Sequence, residues 1–188
     1  MLKSVFLTRR NLIGGAAVLG VPALGLVGFA AETGRIDLLT PVLPVEGDLK
    51  AVPGALRHQE VVPAVTRAAF DEGVTVLNVW ASWCPQCRDE HETLLSLSER
   101  PGIRLFGLAV DDTAANVADF LKSHGNPYHR LSIDFHKIYV RGLKQRGVPS
   151  TFVFRADGRF VAKIGRELSP ALVETKLLPA LERASQTA

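Results

Sequence analysis

Two apolar runs rich in β-branched residues, VTVLNVWA (74–81) and IRLFGLAV (103–110), lie on either side of one helix-length segment. Each is nearly continuous in its hydrophobicity, without the alternation of a half-exposed strand, as expected where both faces of a sheet are covered. Strands connected through a helix can lie parallel, whereas a tight hairpin reverses the chain. The pair therefore predicts a βαβ unit with buried central strands.

The remaining sequence extends that unit. Pro101-Gly102 ends the helix that begins near residue 84. Asp111 or Asp112 is placed to cap a following helix that stops near Gly125. FHKIYVRGL (135–143) suits a short helix, and in TFVFRADGRFVAKIG two strand runs meet at Asp157-Gly158 as an antiparallel hairpin. Ser169-Pro170 opens a last helix on which Leu172, Val173, Leu177, Leu178 and Leu181 form an apolar face. Upstream, Pro63 can open a helix in VVPAVTRAAFDEG that stops at Gly73. The order βαβ, inserted helix, ββα describes one α/β domain with a mixed sheet flanked by helices, over residues 61–188. Residues 32–60, with Pro41, Pro44, Gly47, Pro53 and Gly54, read as a linker and irregular lead-in.

The formal charge of +3 is a property of the N-terminus. Lys3, Arg9 and Arg10 are the only charges in the first 31 residues, and beyond them 19 basic residues balance 19 acidic ones. A neutral domain gives no support to nucleic-acid binding. The charge-free stretch from Asn11 to Ala31 follows the pair Arg9-Arg10, which resembles a twin-arginine export signal. About 19 residues of helix span about 28 Å, so the same stretch is long enough for a membrane anchor. Gly28 and Ala30 would permit cleavage after Ala30, and the choice between cleavage and anchoring stays open. In either case residues 1–31 address the domain to the far side of the inner membrane, the periplasm.

The only two cysteines, Cys84 and Cys87, stand in SWCPQC between the first strand and its helix. With Cys84 as the residue before the helix and Pro85 as its first, the Cys84 thiol faces backbone N–H groups that have no intrahelical partner. Those groups and the helix dipole favour a thiolate. Cys87 lies one turn further on the same face, so the sulfurs can join without moving the backbone. Cys84 is then the attacking thiol and Cys87 the resolving one. A structural disulfide over so short a loop would stabilise little. Structural zinc needs four ligands, and His91, about 10 Å along the helix from Cys84, is poorly spaced to supply one. Glu90, three residues after Cys87, is within reach of it through its side chain or a water. Across the sheet, Val148-Pro149 precedes the strand TFVF, where a cis peptide could hold a backbone edge against the cysteines for pairing with a client peptide.

Taken together, LNVWASWCPQCRDEH, VDD (110–112), LKSHGNPY (121–128), GVPSTF (147–152) and ELSPALVETKLLPALE resemble the thioredoxin superfamily. Within it they resemble the periplasmic CcmG/DsbE-like thiol–disulfide oxidoreductases, in the branch with TlpA-like and ResA-like proteins, over residues 74–183. The resemblance implies a thioredoxin-like fold and a CxxC redox centre without bound cofactor or metal. It makes Cys84 the nucleophile, Cys87 the resolving thiol, Glu90 the active-site glutamate that tunes the thiols or passes protons, and Pro149 the cis-proline. Trp83, Pro85, Val148 and Ser150 are the expected client-contacting residues around them. Asn78 stands where ordinary thioredoxins carry a buried aspartate. The family's glutamate after the cis-proline is replaced by Ser150, and the preceding segment carries Lys137, Arg141, Lys144 and Arg146 without an acid.

The expected activity is that of a monomeric reductant in cytochrome c maturation. Its implied clients are the CxxCH segments of apocytochrome c or a maturation partner, with electrons from a membrane thiol transporter of the DsbD or CcdA kind. Two alternatives remain: a TlpA-like reductant of another client, such as a copper-centre assembly protein, and a metal carrier using the CxxC.

Overall fold

The computed structural model describes residues 49–186, so the signal or anchor read at residues 1–31 lies outside the described residues. The described residues form eight strands: β1 (Leu49–Ala51), β2 (Leu56–Arg57), β3 (Glu60–Val61), β4 (Thr75–Trp80), β5 (Arg104–Val110), β6 (Arg130–Asp134), β7 (Ser150–Phe154) and β8 (Phe160–Ile164). Six build one sheet in the order β1-β6-β5-β4-β7-β8, while β2 and β3 pair separately. The expected βαβ unit is present: β4 and β5 pair in parallel with Thr75 opposite Arg104, and β5 pairs in parallel with β6. β7 runs antiparallel to both β4 and β8, which completes the mixed sheet.

Alternation along the strands sends side chains into two cores. Val76, Trp80, Leu105, Ala109, Leu131 and Val153 face the layer that holds both cysteines, together with α1 (Pro85–Asp89), α2 (His91–Ser98) and α3 (Ala114–His124). Leu77, Val79, Phe106, Leu108, Phe152 and Phe154 pack on the other face against Phe70 and α4 (Ile138–Gly142), with Phe70 edge-on to Phe106 and Phe154. Every residue of β4 is buried, which accounts for its unbroken apolar run. The last helix starts at Ser169, whose Oγ accepts the N–H of Leu172. It proceeds from α5 (Pro170–Leu172) through a π turn at Val173–Leu177 into α6 (Leu178–Ser185). There Leu178 N–H bonds the Val173 carbonyl, and the next residue, Pro179, has no N–H to offer.

Four local expectations change. Residues 49–61, read as irregular, carry three short strands, and Val52, Ala55 and Val62 are buried. No helix starts at Pro63; the Pro63 carbonyl and Val65 N–H instead bond Leu131 N–H and Ser132 Oγ of β6, and only Ala68–Glu72 coils, as a 3₁₀ turn. Helix α3 is capped by Thr113 rather than by an aspartate, because Asp111 sits in a left-handed conformation and the Asp112 carboxylate is turned onto the N–H groups of Ser82 and Thr113. The helix after the cysteines is two segments that meet at Glu90. The result is a thioredoxin-like fold, with α4 inserted between the parallel half and the closing hairpin.

Candidate active site

The CxxC segment leaves the buried end of β4 and turns immediately into α1. Asp112 fixes that turn: its Oδ2 accepts the Ser82 N–H at 2.6 Å, while the Arg88 guanidinium donates to the Ser82 carbonyl at 2.9 and 3.0 Å. Cys84 is the N-cap with extended backbone, and Pro85 opens the helix where a missing N–H loses no bond. The Cys84 sulfur accepts the Cys87 N–H at 3.3 Å, so the expected orphan donor does face the thiol. It also lies 3.7 Å from Gln86 Oε1, toward which its S–H points. Both cysteines are free thiols and each is only 2% exposed. Burial, and then its interaction with Cys84, raises the Cys87 thiol well above its ordinary range, with the Glu90 charge adding in the same direction. Cys87 is thus held as the protonated partner at neutral pH.

Glu90 does not extend along the helix surface. Its carboxylate turns inward and is 1% exposed, with Oε1 accepting from Asn78 Nδ2 at 2.8 Å and Oε2 from Leu168 N–H at 2.7 Å. Burial pushes its pKa up to about 7 from 4.5, against the lowering effect of those two hydrogen bonds, and the neighbouring Glu167 charge raises it further. Asn78 is in turn held by Tyr128, whose hydroxyl donates to Oδ1 at 2.8 Å. Burial keeps that phenol protonated, as its pKa lies well above 10. The ring of Tyr128 lies over Gly107 of β5, where a Cβ would come within 2.7 Å of it. In the sequence Asn78 stands out only as the absence of an aspartate and Tyr128 only as the end of LKSHGNPY, and neither motif points to Gly107. The one available signal was an asparagine inside an apolar strand, which burial obliges to find partners.

The other expected residues gather around the end of α1. The Val148–Pro149 peptide is cis, and Val148 packs against the core that contains the cysteines. Val148 and Trp83 line one pocket, and Val148, Pro149 and Gln86 line another, so the proline loop and the CxxC helix share a surface. Trp83 is 54% exposed with its indole N–H fixed on the Asp111 carbonyl at 2.9 Å, and Pro85 is exposed beside it. Ser150 departs from the expected arrangement. It pairs with Val79 at the end of the β4–β7 ladder and is fully buried, and its Oγ has no hydrogen-bond partner among the described residues. Its side chain therefore contributes to neither pocket wall. His91 is buried as well, with Nε2 donating to the Gly125 carbonyl at 3.1 Å and burial lowering its pKa, so it holds α2 to the end of α3.

The Redoxin family profile matches residues 58–175, more than half of the chain. The thiol:disulfide interchange protein CycY of Rhizobium leguminosarum bv. viciae is 32% identical over 149 residues, covering 73% of this chain and 80% of CycY. A thiol:disulfide interchange protein DsbE homologue of Paracoccus denitrificans is 35% identical over 176 residues, covering 87% of this chain and 93% of the homologue. Among solved structures, a thiol-disulfide isomerase of Corynebacterium glutamicum superposes with a TM-score of 0.58 at 15% identity, over 76% of this chain and 97% of the isomerase, a likeness of fold.

Proposed function

The chain belongs to the Redoxin family, among the DsbE-type thiol:disulfide interchange proteins, and is a thiol–disulfide oxidoreductase; from that premise we propose that it is an exported reductant in cytochrome c maturation. The observation that carries the reading is the Cys84–Cys87 pair at the start of α1, with the inner thiol protonated and a buried carboxyl of pKa about 7 beside it.

The cycle begins when the Cys84 thiolate attacks one sulfur of a client disulfide. A bond forms between Cys84 and that sulfur, the client S–S bond breaks, and the second client sulfur leaves as a thiolate that takes up a proton. Cys87 then loses its proton, with Glu90 as the nearby acceptor, and attacks the Cys84 sulfur. This releases the first client sulfur, which is protonated in turn, and leaves the Cys84–Cys87 disulfide. Two electrons and two protons have passed to the client, and a membrane thiol transporter of the DsbD or CcdA kind returns them. A carboxyl with a pKa near the working pH can both accept and return that proton. The clients proposed are CxxCH segments of apocytochrome c or a maturation partner. The site of action is the periplasmic face of the inner membrane, a placement supported by Arg9-Arg10 and the apolar stretch after them.

The test is Cys87→Ser in the full-length chain expressed in its host. The variant lacks the resolving thiol, so the Cys84–client mixed disulfide should accumulate and be recovered on a non-reducing gel. Recovery of no client would sink the proposal. The direction of electron flow is read separately from the potential of the pair: a value near about −270 mV suits a reductant, and one near about −120 mV an oxidant.

A further inference from the structure

The basic segment before the cis-proline is split by the fold. Lys137 is neutralised by Asp111 at 2.8 Å, but Lys144 and Arg146 remain exposed on the loop that leads into Pro149. They line a groove of about 350 Å³ together with Val148, Pro149 and Lys163 of β8. An adjoining groove of about 390 Å³ on the other side of Pro149 runs to Gln86, whose side chain touches Cys84, and carries Arg166 and a single acid, Glu167. Lys144, Arg146, Lys163 and Arg166 are all exposed, and none makes an ion pair among the described residues. Four cations without an ion-pair partner among the described residues, one of them (Lys163) lying over the Phe152 ring, therefore outnumber the single acid Glu167 where a client strand would meet Cys84. The backbone N–H and C=O of Val148 make no hydrogen bond among the described residues, so the segment leading into β7 has polar groups to offer a client backbone.

We infer that this cleft selects an extended client segment in which acidic residues flank the disulfide-bonded cysteine, the backbone pairing at Val148 and the acids meeting Lys144, Arg146 and Arg166. The inference rests on the oxidoreductase reading and names its client chemistry. Clustered cations at the rim act chiefly on the encounter rate and on partner choice, and their effect falls with salt. Ser150, fully buried, adds no carboxylate to offset them.

Three disulfide peptides of the same CxxC core test this, flanked by glutamates, by glutamines or by lysines, with the fully reduced full chain as reductant. At low ionic strength the glutamate peptide should be reduced about tenfold faster than the glutamine peptide, and the lysine peptide slower than either. The ratio of glutamate to glutamine rates should approach one in 0.5 M salt (about a 4 Å screening length) and in Lys144→Ala/Arg146→Ala. Lys144→Glu/Arg146→Glu should invert the order. Lys122→Glu/Lys176→Glu changes net charge equally away from the cleft and should keep the preference. Equal rates for the three peptides, or a preference that survives Lys144→Glu/Arg146→Glu, would overturn the inference. So would salt-sensitive binding to phosphatidylglycerol vesicles without peptide preference, which would assign the cations to a lipid surface. Reduction of none of the peptides would refute the oxidoreductase reading instead.

Discussion

Replacing Glu90 by Gln should remove a specific slope from the pH dependence of stability. The folded carboxyl titrates at about 7 against an ordinary 4.5, chiefly because it is buried. The folded state therefore keeps a proton that the unfolded chain gives up between those two values. Stability from this group is fully present below pH 4.5 and is lost as pH rises through about 7, at about 1.4 kcal/mol per pH unit. Over the whole interval from 4.5 to about 7, that amounts to about 3 kcal/mol. Urea unfolding of the reduced wild type and of Glu90→Gln, measured from pH 4.5 to 8.5, should give stability curves that converge on the alkaline side relative to their separation at low pH. Gln cannot accept from both Asn78 Nδ2 and Leu168 N–H, so a pH-independent offset of about 1–3 kcal/mol is expected as well. The slope difference, not the offset, carries the argument. Parallel curves would refute a buried, elevated carboxyl at position 90.

Three further outcomes follow from the same packing. Gly107→Ala puts a Cβ within 2.7 Å of the Tyr128 ring and 2.8 Å of Leu131, an overlap with two fully buried side chains that should destabilise by about 1–3 kcal/mol, read as a lowered urea midpoint. Tyr128→Phe leaves Asn78 Oδ1 buried without its donor and should lower stability by about 1–3 kcal/mol, while the shifted Glu90 titration, followed by carboxyl NMR, separates this effect from simple loss of packing. Thr113→Ala removes the Oγ1 that accepts the Asn116 N–H and should reduce stability by about 1 kcal/mol, read as a lowered urea midpoint.

Much of the site is legible along the chain because its determinants are local. An apolar strand, two cysteines at helical spacing and a proline at the first helical position lie within β4 and α1, and the structure bonds the Cys87 N–H to Cys84 as that spacing implies. The closing hairpin and the Ser169 cap were equally readable. Strand β6 was not. Its sequence RLSID carries Ser132 and Asp134, which look like surface residues. In the fold Ser132 Oγ accepts from Val65 N–H, and the Asp134 carboxylate accepts from Ile138 and Val140, so both are buried at no loss of hydrogen bonding. The edge strand β1 escaped for a related reason: three residues have no periodicity to detect, and only pairing with β6 makes them a strand.

By itself the sequence determined the redox chemistry and the layer order: a buried parallel strand pair leaves few ways to place a helix, and a CxxC at that helix start has few uses. Tertiary structure decided the proton chemistry. Glu90 is bonded to Leu168, 78 residues away, and to Asn78, itself fixed by Tyr128 50 residues on. Only the folded chain removes that carboxyl from water, and removal from water raises its pKa to about 7. The same applies to Ser150 and the basic loop. They are near neighbours in sequence, yet β7, lying between β4 and β8 with every residue buried, takes the serine out of water, while Lys144 and Arg146 on the loop before it stay at the cleft.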